Sequence, residues 1–320
     1  MCEGRHRHLL CCTSPAKILW HSLKIFLRNK LIFSSIFAFA TLPLSSLVFS
    51  LSLSTHALRS QIYHLEAVAL LAPTRFEARH VWKESRDDAV TLLRIKALFA
   101  IPSYVLSLIA AITAVHSTVL AYNGKAPTSH SALNASKNNW KRPSVTTIFT
   151  YVILLAFAPL PRILAALTPS HELRFLVLAI GSGIEIYLVA VLSLALVVSI
   201  AEDRFGWDAI KVGSGIMEGS RFCGWVLSGL FVLVSGMIRW NLEVLMDSRN
   251  LPSELLSSAV APASKLTELM IGIQDKMGMI CLYGLAVLFS YVITAVYYCD
   301  CRRRHVIREV EDDGHEGASV

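Results

Sequence analysis

Six long stretches of this 320-residue chain are almost free of charged side chains, and they constrain its fold more than any other feature. Each is about 17 to 27 residues long, and an α-helix needs about 20 apolar residues to cross the hydrocarbon core of a bilayer. The sequence therefore predicts an all-α fold, a polytopic transmembrane helix bundle of about six spans. The predicted spans are residues 31–53, 97–122, 145–168, 175–201, 222–238 and 279–299.

Composition agrees with a chain embedded in a membrane. Hydrophobic residues make up 54% of the sequence and charged residues only 17%, well below the usual quarter of a soluble domain. These proportions exclude a large soluble enzyme core, a disordered chain and a collagen-like repeat. A basic cytosolic segment, residues 1–30, precedes the six-span domain, residues 31–299, and a cytosolic tail, residues 300–320, follows it.

Polar segments with apolar residues at helical spacing precede four of the spans. They predict short amphipathic interfacial helices. Two explanations are open: the polar flanks that any multi-pass chain needs beside its spans, or an ancestral unit of one helix and one span that occurs more than once. The segments are residues 16–30, 81–96, 209–221 and 264–276. By contrast, residues 123–144 begin with Asn123-Gly124 and predict a linker loop.

The distribution of positive charge predicts that both termini are cytosolic. Segments on the side of the termini hold 17 Lys or Arg residues and the opposite loops hold 12. Arg28 and Lys30 directly before the first span, and the cluster Arg302 to Arg304 after the last, strengthen this bias. The sequon at Asn134 then faces the cytosol and stays unmodified, so a glycan on Asn134 would contradict the topology. The chain is expected in the secretory pathway or the plasma membrane.

Glu185 is the most informative single residue, because it lies near the middle of the fourth span. An ionised carboxylate there is costly unless it is paired or hydrated. Gly181 and Gly183 would let another backbone approach within one turn, which predicts that Glu185 faces protein or water. A raised pKa with a neutral acid would serve equally well.

Two further polar residues lie within spans. Arg162 is expected to pair with Glu185 in the hairpin of the third and fourth spans, to extend to the membrane interface, or to contact another span. His116 in the second span is either a proton relay or a hydrogen-bonding packing residue. With Glu185, these residues form the candidate intramembrane polar site.

A stripe of small residues, Ser220, Gly224 and Ser228, recurs every four positions at the start of the fifth span and predicts close helix packing. The seven cysteines show no disulfide framework. Those near the predicted cytosolic face are either free thiols or lipidation sites. These candidate lipidation residues are Cys11, Cys12, Cys299 and Cys301.

The sequence has no phosphate-binding loop, no His-Glu-x-x-His and no Gly-x-Ser-x-Gly motif. We therefore expect no catalytic residue, no metal, no cofactor and no nucleic acid. The favoured interpretation is a non-enzymatic integral membrane protein that acts through helix or lipid association. Its expected partners are membrane lipids and a second copy or another membrane protein. The alternative is a small transporter or channel that uses Glu185.

Three motifs carry a resemblance to known proteins. They are Phe26-Leu27-Arg28-Asn29-Lys30 before the first span, and Trp207-Asp208-Ala209-Ile210-Lys211 and the segment from Gly215 to Arg221 before the fifth. This layout resembles a family of plant six-span membrane proteins without an assigned activity. It is also similar to the membrane-embedded domain of some bacterial glycerophosphodiester phosphodiesterases, without their catalytic domain. The resemblance implies an architecture and no site residue.

Overall fold

A computed structural model of the chain describes residues 14–71, 75–168, 170–202, 204–247 and 262–316. These residues form eleven α-helices and one π-helical turn, Phe37–Thr41, and contain no β-strand, so the all-α prediction is confirmed. The helices are α1 Pro15–Arg28, α2 Lys30–Ile36, α3 Leu42–Leu71, α4 Arg75–Tyr122, α5 Ser129–Asn139, α6 Lys141–Phe157, α7 Leu160–Leu167, α8 His171–Ala201, α9 Trp207–Ile216, α10 Arg221–Asp247 and α11 Pro262–Glu316.

Six stretches in the described residues are long and apolar enough to cross a bilayer, so the chain is built as a membrane-embedded protein. Each overlaps one span predicted from the sequence. They are Lys30–His56, His80–Tyr122, Lys141–Leu167, His171–Ala201, Arg221–Val244 and Met277–Arg304. Several helices continue well beyond their apolar stretch, because backbone hydrogen bonding does not end where the side chains become polar.

The segments between spans are more helical than the sequence analysis predicts. The predicted loop 123–144 contains α5, whose first turn is capped where the Ser131 N–H donates to Thr128 Oγ1 over 3.2 Å. Of the four amphipathic segments, the first and third lie largely in the separate helices α1 and α9. The other two, residues 81–96 and 264–276, are continuous with α4 and α11 and are not separate helices.

The third span is broken into α6 and α7 at residues 158 and 159. Pro159 and Pro161 cause the break, because proline has no N–H to donate and its ring clashes with the preceding turn. The carbonyls of Leu155 and Phe157, four residues before the two prolines, therefore lose their usual helical donors. The backbone dihedral angles at residues 158 and 159 stay helical, so the interruption is one of hydrogen bonding, and α7, a helix of 8 residues, follows it.

The described residues divide into two compact units. The first comprises those of 1–36, 108–236 and 286–320. Small side chains let its helices approach closely: Ala110 and Ala114 on α4, Ala195 on α8 and Ala295 on α11 are fully buried. Within this unit α8 packs against α6, α7 and α9.

The second unit comprises the described residues of 37–107 and 237–285. Here α11 passes close to the π-helical turn and the start of α3 at Gly284. A Cβ on Gly284 would lie 3.1 Å from Ser45 Oγ and 3.3 Å from the carbonyl oxygen of Thr41. The absence of a side chain at Gly284 therefore permits this close approach.

Candidate functional site

The third and fourth spans meet at a seam between Pro161 and Gly181. A Cβ on Gly181 would lie 2.5 Å from Cβ and 2.7 Å from Cγ of Pro161, which is too close for a real side chain. Pro161 and Ala165, one turn apart on α7, are both buried. The small residue at Gly181 thus lets the proline ring rest against the backbone of α8.

Gly183 lies in a different environment from Gly181. A Cβ at Gly183 would have no other atom within 4 Å, so this glycine accommodates no close backbone approach. Its carbonyl oxygen instead accepts a hydrogen bond from Trp225 Nε1 over 3.0 Å, which joins the fourth span to α10.

Glu185 lies one turn beyond Gly181 and its side chain is exposed. Because the third and fourth spans run antiparallel, four residues forward from Gly181 correspond to four residues back from Pro161. Glu185 is therefore about level with Phe157, where the third span breaks. A carboxylate and two carbonyl groups without helical donors thus lie at a similar depth.

Arg162 is also exposed, and among the described residues no ion pair joins it to Glu185. The predicted intrachain pair is therefore not formed. The reason is rotation about the helix axis: Pro161 faces the seam, and the next residue points about 100° away. The antiparallel hairpin fixes the depths of Arg162 and Glu185 in the membrane, but the direction of each side chain depends on rotation about its helix axis.

His116 belongs to a separate contact. Its side chain is half-buried, and Nε2 lies 3.3 Å from Ser131 Oγ on α5. No hydrogen bond or ion pair among the described residues joins His116 to Glu185 or Arg162. The three predicted polar residues thus do not form one site within the chain.

The small residues of the fifth span face Tyr297 of α11. Ser220 Oγ lies 3.1 Å from the Tyr297 hydroxyl, which also donates to the Ser220 carbonyl oxygen over 3.0 Å. A Cβ on Gly224 would lie 3.0 Å from the same hydroxyl. Ser228, one turn further on, lines a cavity of about 20 Å³ beside Tyr297, which has room for about one water molecule. This stripe packs two spans of one chain together.

The candidate lipidation cysteines differ in their surroundings. Cys11 and Cys12 lie outside the described residues. Cys299 is half-buried, whereas Cys301 is only 2% exposed and its Sγ lies 3.2 Å from Ser220 Oγ. Of the two alternatives for the Cys301 thiol, the structure fits a free thiol, because it is packed inside the bundle and not presented for acylation.

A second polar contact joins α8 to the end of α11. The Tyr298 hydroxyl donates to Glu202 Oε1 over 2.7 Å, and Arg302 Nε lies 3.5 Å from the same oxygen. Within the part of the chain that the structure describes, no three His, Cys, Asp or Glu side chains are grouped as metal ligands. These contacts position helices, and none of them pairs a nucleophile with a base.

A family model described as "Domain of unknown function (DUF8558)" matches residues 10–309. The chain belongs to this family. The DUF8558 match includes all six spans together with α1, α5 and α9, so the helices between the spans are part of the family's domain. No curated protein and no solved structure is significantly similar to the chain.

Several contacts of this DUF8558 domain are missed by the sequence analysis. Pro161, Tyr297 and Tyr298 are not singled out there. For Pro161 a signal exists, because it and Gly181 lie at nearly equal distances from the short link between their spans, so they face each other in an antiparallel hairpin. For the tyrosines no comparable signal exists, because their partners are about 77 and 96 residues away in the sequence.

Proposed function

We propose that this chain is a non-enzymatic integral membrane protein that acts by lateral association of membrane helices, and that its partner is a second copy of itself. The observation that carries the proposal is the exposed side chain of Glu185 near the middle of the 31-residue helix α8. An ionised carboxylate at the bilayer centre costs roughly 2.5–3.5 kcal/mol on insertion scales. A partner that covers Glu185 and supplies a positive charge removes that cost.

Arg162 gives the same face a complementary charge. It borders the seam between Pro161 and Gly181 and carries a guanidinium group, which suits pairing with a carboxylate. Helical side chains lean toward the amino terminus of their helix, which brings the charged groups of Arg162 and Glu185 to similar depths. Around a two-fold axis, Arg162 of one copy would meet Glu185 of the other, and the reverse pair would form at the same time.

The third span supports an association at this face. Only 6% of its apolar window is buried, against 44% for the fourth span, so most of its surface is open to lipid or to a partner. Its break also places backbone carbonyls without helical donors at membrane depth. Carbonyl groups that lack hydrogen-bond donors at that depth are tolerated where protein or water covers them. A second copy seated on α7 and α8 would cover the break and Glu185 together.

Charge reversal tests the proposal. We expect the wild-type protein in lipid nanodiscs to be a dimer, and Glu185→Arg or Arg162→Glu each to weaken the dimer at least about thirtyfold, because each leaves like charges facing one another. The double variant Glu185→Arg/Arg162→Glu should dimerise like the wild type. Single-molecule photobleaching over a range of protein-to-lipid ratios counts the subunits per complex for the wild type, the two single variants and the double variant.

Glu218→Arg is the matched control. Glu218 is exposed, lies between α9 and α10, and makes only a 3.4 Å surface ion pair with Arg221, so its reversal should leave the dimer intact. Thermal melting of each variant separates loss of association from loss of folding. A monomeric wild type, or a dimer that persists in both single reversals, contradicts the proposal.

One observation favours the alternative of a transporter or channel. Discontinuous spans with free carbonyls line substrate sites in several transporter folds, and Glu185 is about level with such a break. The two functions differ in water access. In a Ser182→Cys variant, one turn from Glu185, a membrane-impermeant maleimide should react if Glu185 lines a water-filled path. A dry, dimer-covered face leaves that thiol unlabelled.

The membrane location and orientation complete the proposal. The charge bias around the spans supports termini on the cytosolic side. The proposed location is the secretory pathway or the plasma membrane. Asn134 is exposed on α5, so its glycosylation state reports the orientation directly. We expect no mobility shift when the protein from a eukaryotic host is treated with a glycosidase.

A further inference from the structure

A groove in the second unit is lined by α3, α10 and α11. Its volume is about 150 Å³, and most of its lining is apolar. Val48 of α3 and Leu242 of α10 are among the apolar lining residues, and Ser45, Ser52 and Tyr283 are among the polar ones. One charged residue, Arg239, also lines it. The groove therefore combines an apolar body with a single positive group.

The membrane topology puts this groove near one face of the bilayer. The first and fifth spans end, and the sixth begins, on the same side of the membrane, because successive spans alternate in direction. Ser52 lies four residues before the end of the first span at His56, and Arg239 lies five residues before the end of the fifth at Val244. Ser45 is seven residues deeper than Ser52, or about 10 Å along the helix. The polar rim is thus shallow and the apolar body extends inward.

Arg239 is available to a ligand. Its side chain is exposed, and no ion pair with Arg239 occurs among the residues that the structure describes. Glu243 lies one turn further along α10 and is exposed as well, but it is not within ion-pair contact of Arg239. A guanidinium near the membrane interface suits a phosphate, which it binds through two parallel hydrogen bonds.

We propose that this groove binds one acyl chain of an anionic phospholipid of the surrounding bilayer, with the lipid phosphate beside Arg239. A cavity of about 150 Å³ admits a benzene-sized apolar group, so it accepts a length of one chain and not a whole lipid. The rest of the lipid stays in the bilayer. Arg239 is the headgroup contact, and Ser52 lies at the same shallow level to offer a hydroxyl donor.

This site is separate from the dimer face, because it shares no residue with the face around Glu185 and Arg162. The two proposals therefore fail independently. The Arg239 variants described next should not change the number of subunits, and the Glu185 and Arg162 reversals should not change lipid binding in the groove.

Photolabelling of the full-length protein tests the lipid site. The protein is reconstituted in phosphatidylcholine vesicles that contain a small fraction of phosphatidic acid with a diazirine in one acyl chain. We expect the label on groove-lining segments of α3, α10 and α11, identified by peptide mass spectrometry. Arg239→Gln should lower this labelling about tenfold, as expected for loss of a charge-assisted contact. Val48→Trp should lower it by a similar factor because the indole fills the groove.

Two controls match these variants. Arg221→Gln removes an exposed arginine at the start of the same helix, and Val232→Trp places an indole on an exposed face of α10 outside the groove. Both should label like the wild type, and thermal melting should show that all four variants remain folded. The proposal is overturned if labelling survives both groove variants, or if a phosphatidylcholine or fatty-acid probe labels the groove as strongly as phosphatidic acid.

Discussion

Replacing Gly181 with alanine is expected to destabilise the protein by about 1–3 kcal/mol, the usual cost of adding a methyl group to a well-packed contact. The new Cβ would lie 2.5 Å from the Pro161 ring, and neither a proline ring nor a helix backbone can rotate out of the way. The hairpin of the third and fourth spans would have to separate. Unfolding in mixed micelles with increasing denaturing detergent measures the change.

Gly183→Ala is the matched control for this substitution. It lies two residues further along the same helix, and its Cβ would have no other atom within 4 Å. The control should be neutral or slightly stabilising, because alanine favours a helix by up to about 1 kcal/mol over glycine. Equal stabilities of the two variants would show that the seam is not tightly packed. A Gly181→Ala/Pro161→Gly double variant should recover part of the loss, because it removes both Cβ and Cγ of Pro161, the two atoms that the new methyl group meets.

Gly213→Ala is expected to displace α9 from α8 and to cost about 1–3 kcal/mol as well. Its Cβ would lie 3.2 Å from the backbone nitrogen and 3.3 Å from Cα of Ala195. Ala195 is fully buried in the fourth span, so the obstacle is backbone and not a flexible side chain. The two helices must move apart by several tenths of an ångström, and the buried contacts along α9 weaken with them.

Gly215→Ala tests this interpretation within the same helix. A Cβ on Gly215 would have no other atom within 4 Å, and Gly215 is exposed. Gly213→Ala and Gly215→Ala therefore make the same substitution in the same helix. They differ only in whether the new methyl group meets α8. Thermal melting and limited proteolysis should show a lower melting temperature and faster cleavage for Gly213→Ala alone. The reverse order would place α9 in a different orientation on α8.

The number and order of the spans could be predicted from the sequence because a bilayer demands long uncharged helices. The helix ends could not. The α4 helix begins at Arg75, well before the predicted span 97–122, because charged side chains do not interrupt backbone hydrogen bonding. The predicted linker 123–144 contains α5 for a related reason: Thr128 caps a short polar helix that has no strong periodicity.

The candidate site was harder to predict, because it depends on rotation about helix axes. Sequence spacing places Arg162 and Glu185 in one hairpin, but one residue turns a side chain by about 100°, and Pro161 takes the position that faces the seam. The π-helical turn Phe37–Thr41 and the groove around Arg239 have no sequence signature at all. They arise from contacts among helices that are distant in the chain.

The break between α6 and α7 also bears on how the protein fits bilayers of different thickness. A straight helix meets a change in hydrocarbon thickness by tilting as a whole, which disturbs every contact along it. The third span is interrupted at residues 158 and 159, where proline has already removed two helical hydrogen bonds. A change in the angle between α6 and α7 alters the length of the span along the membrane normal. The seam between Pro161 and Gly181 keeps its packing.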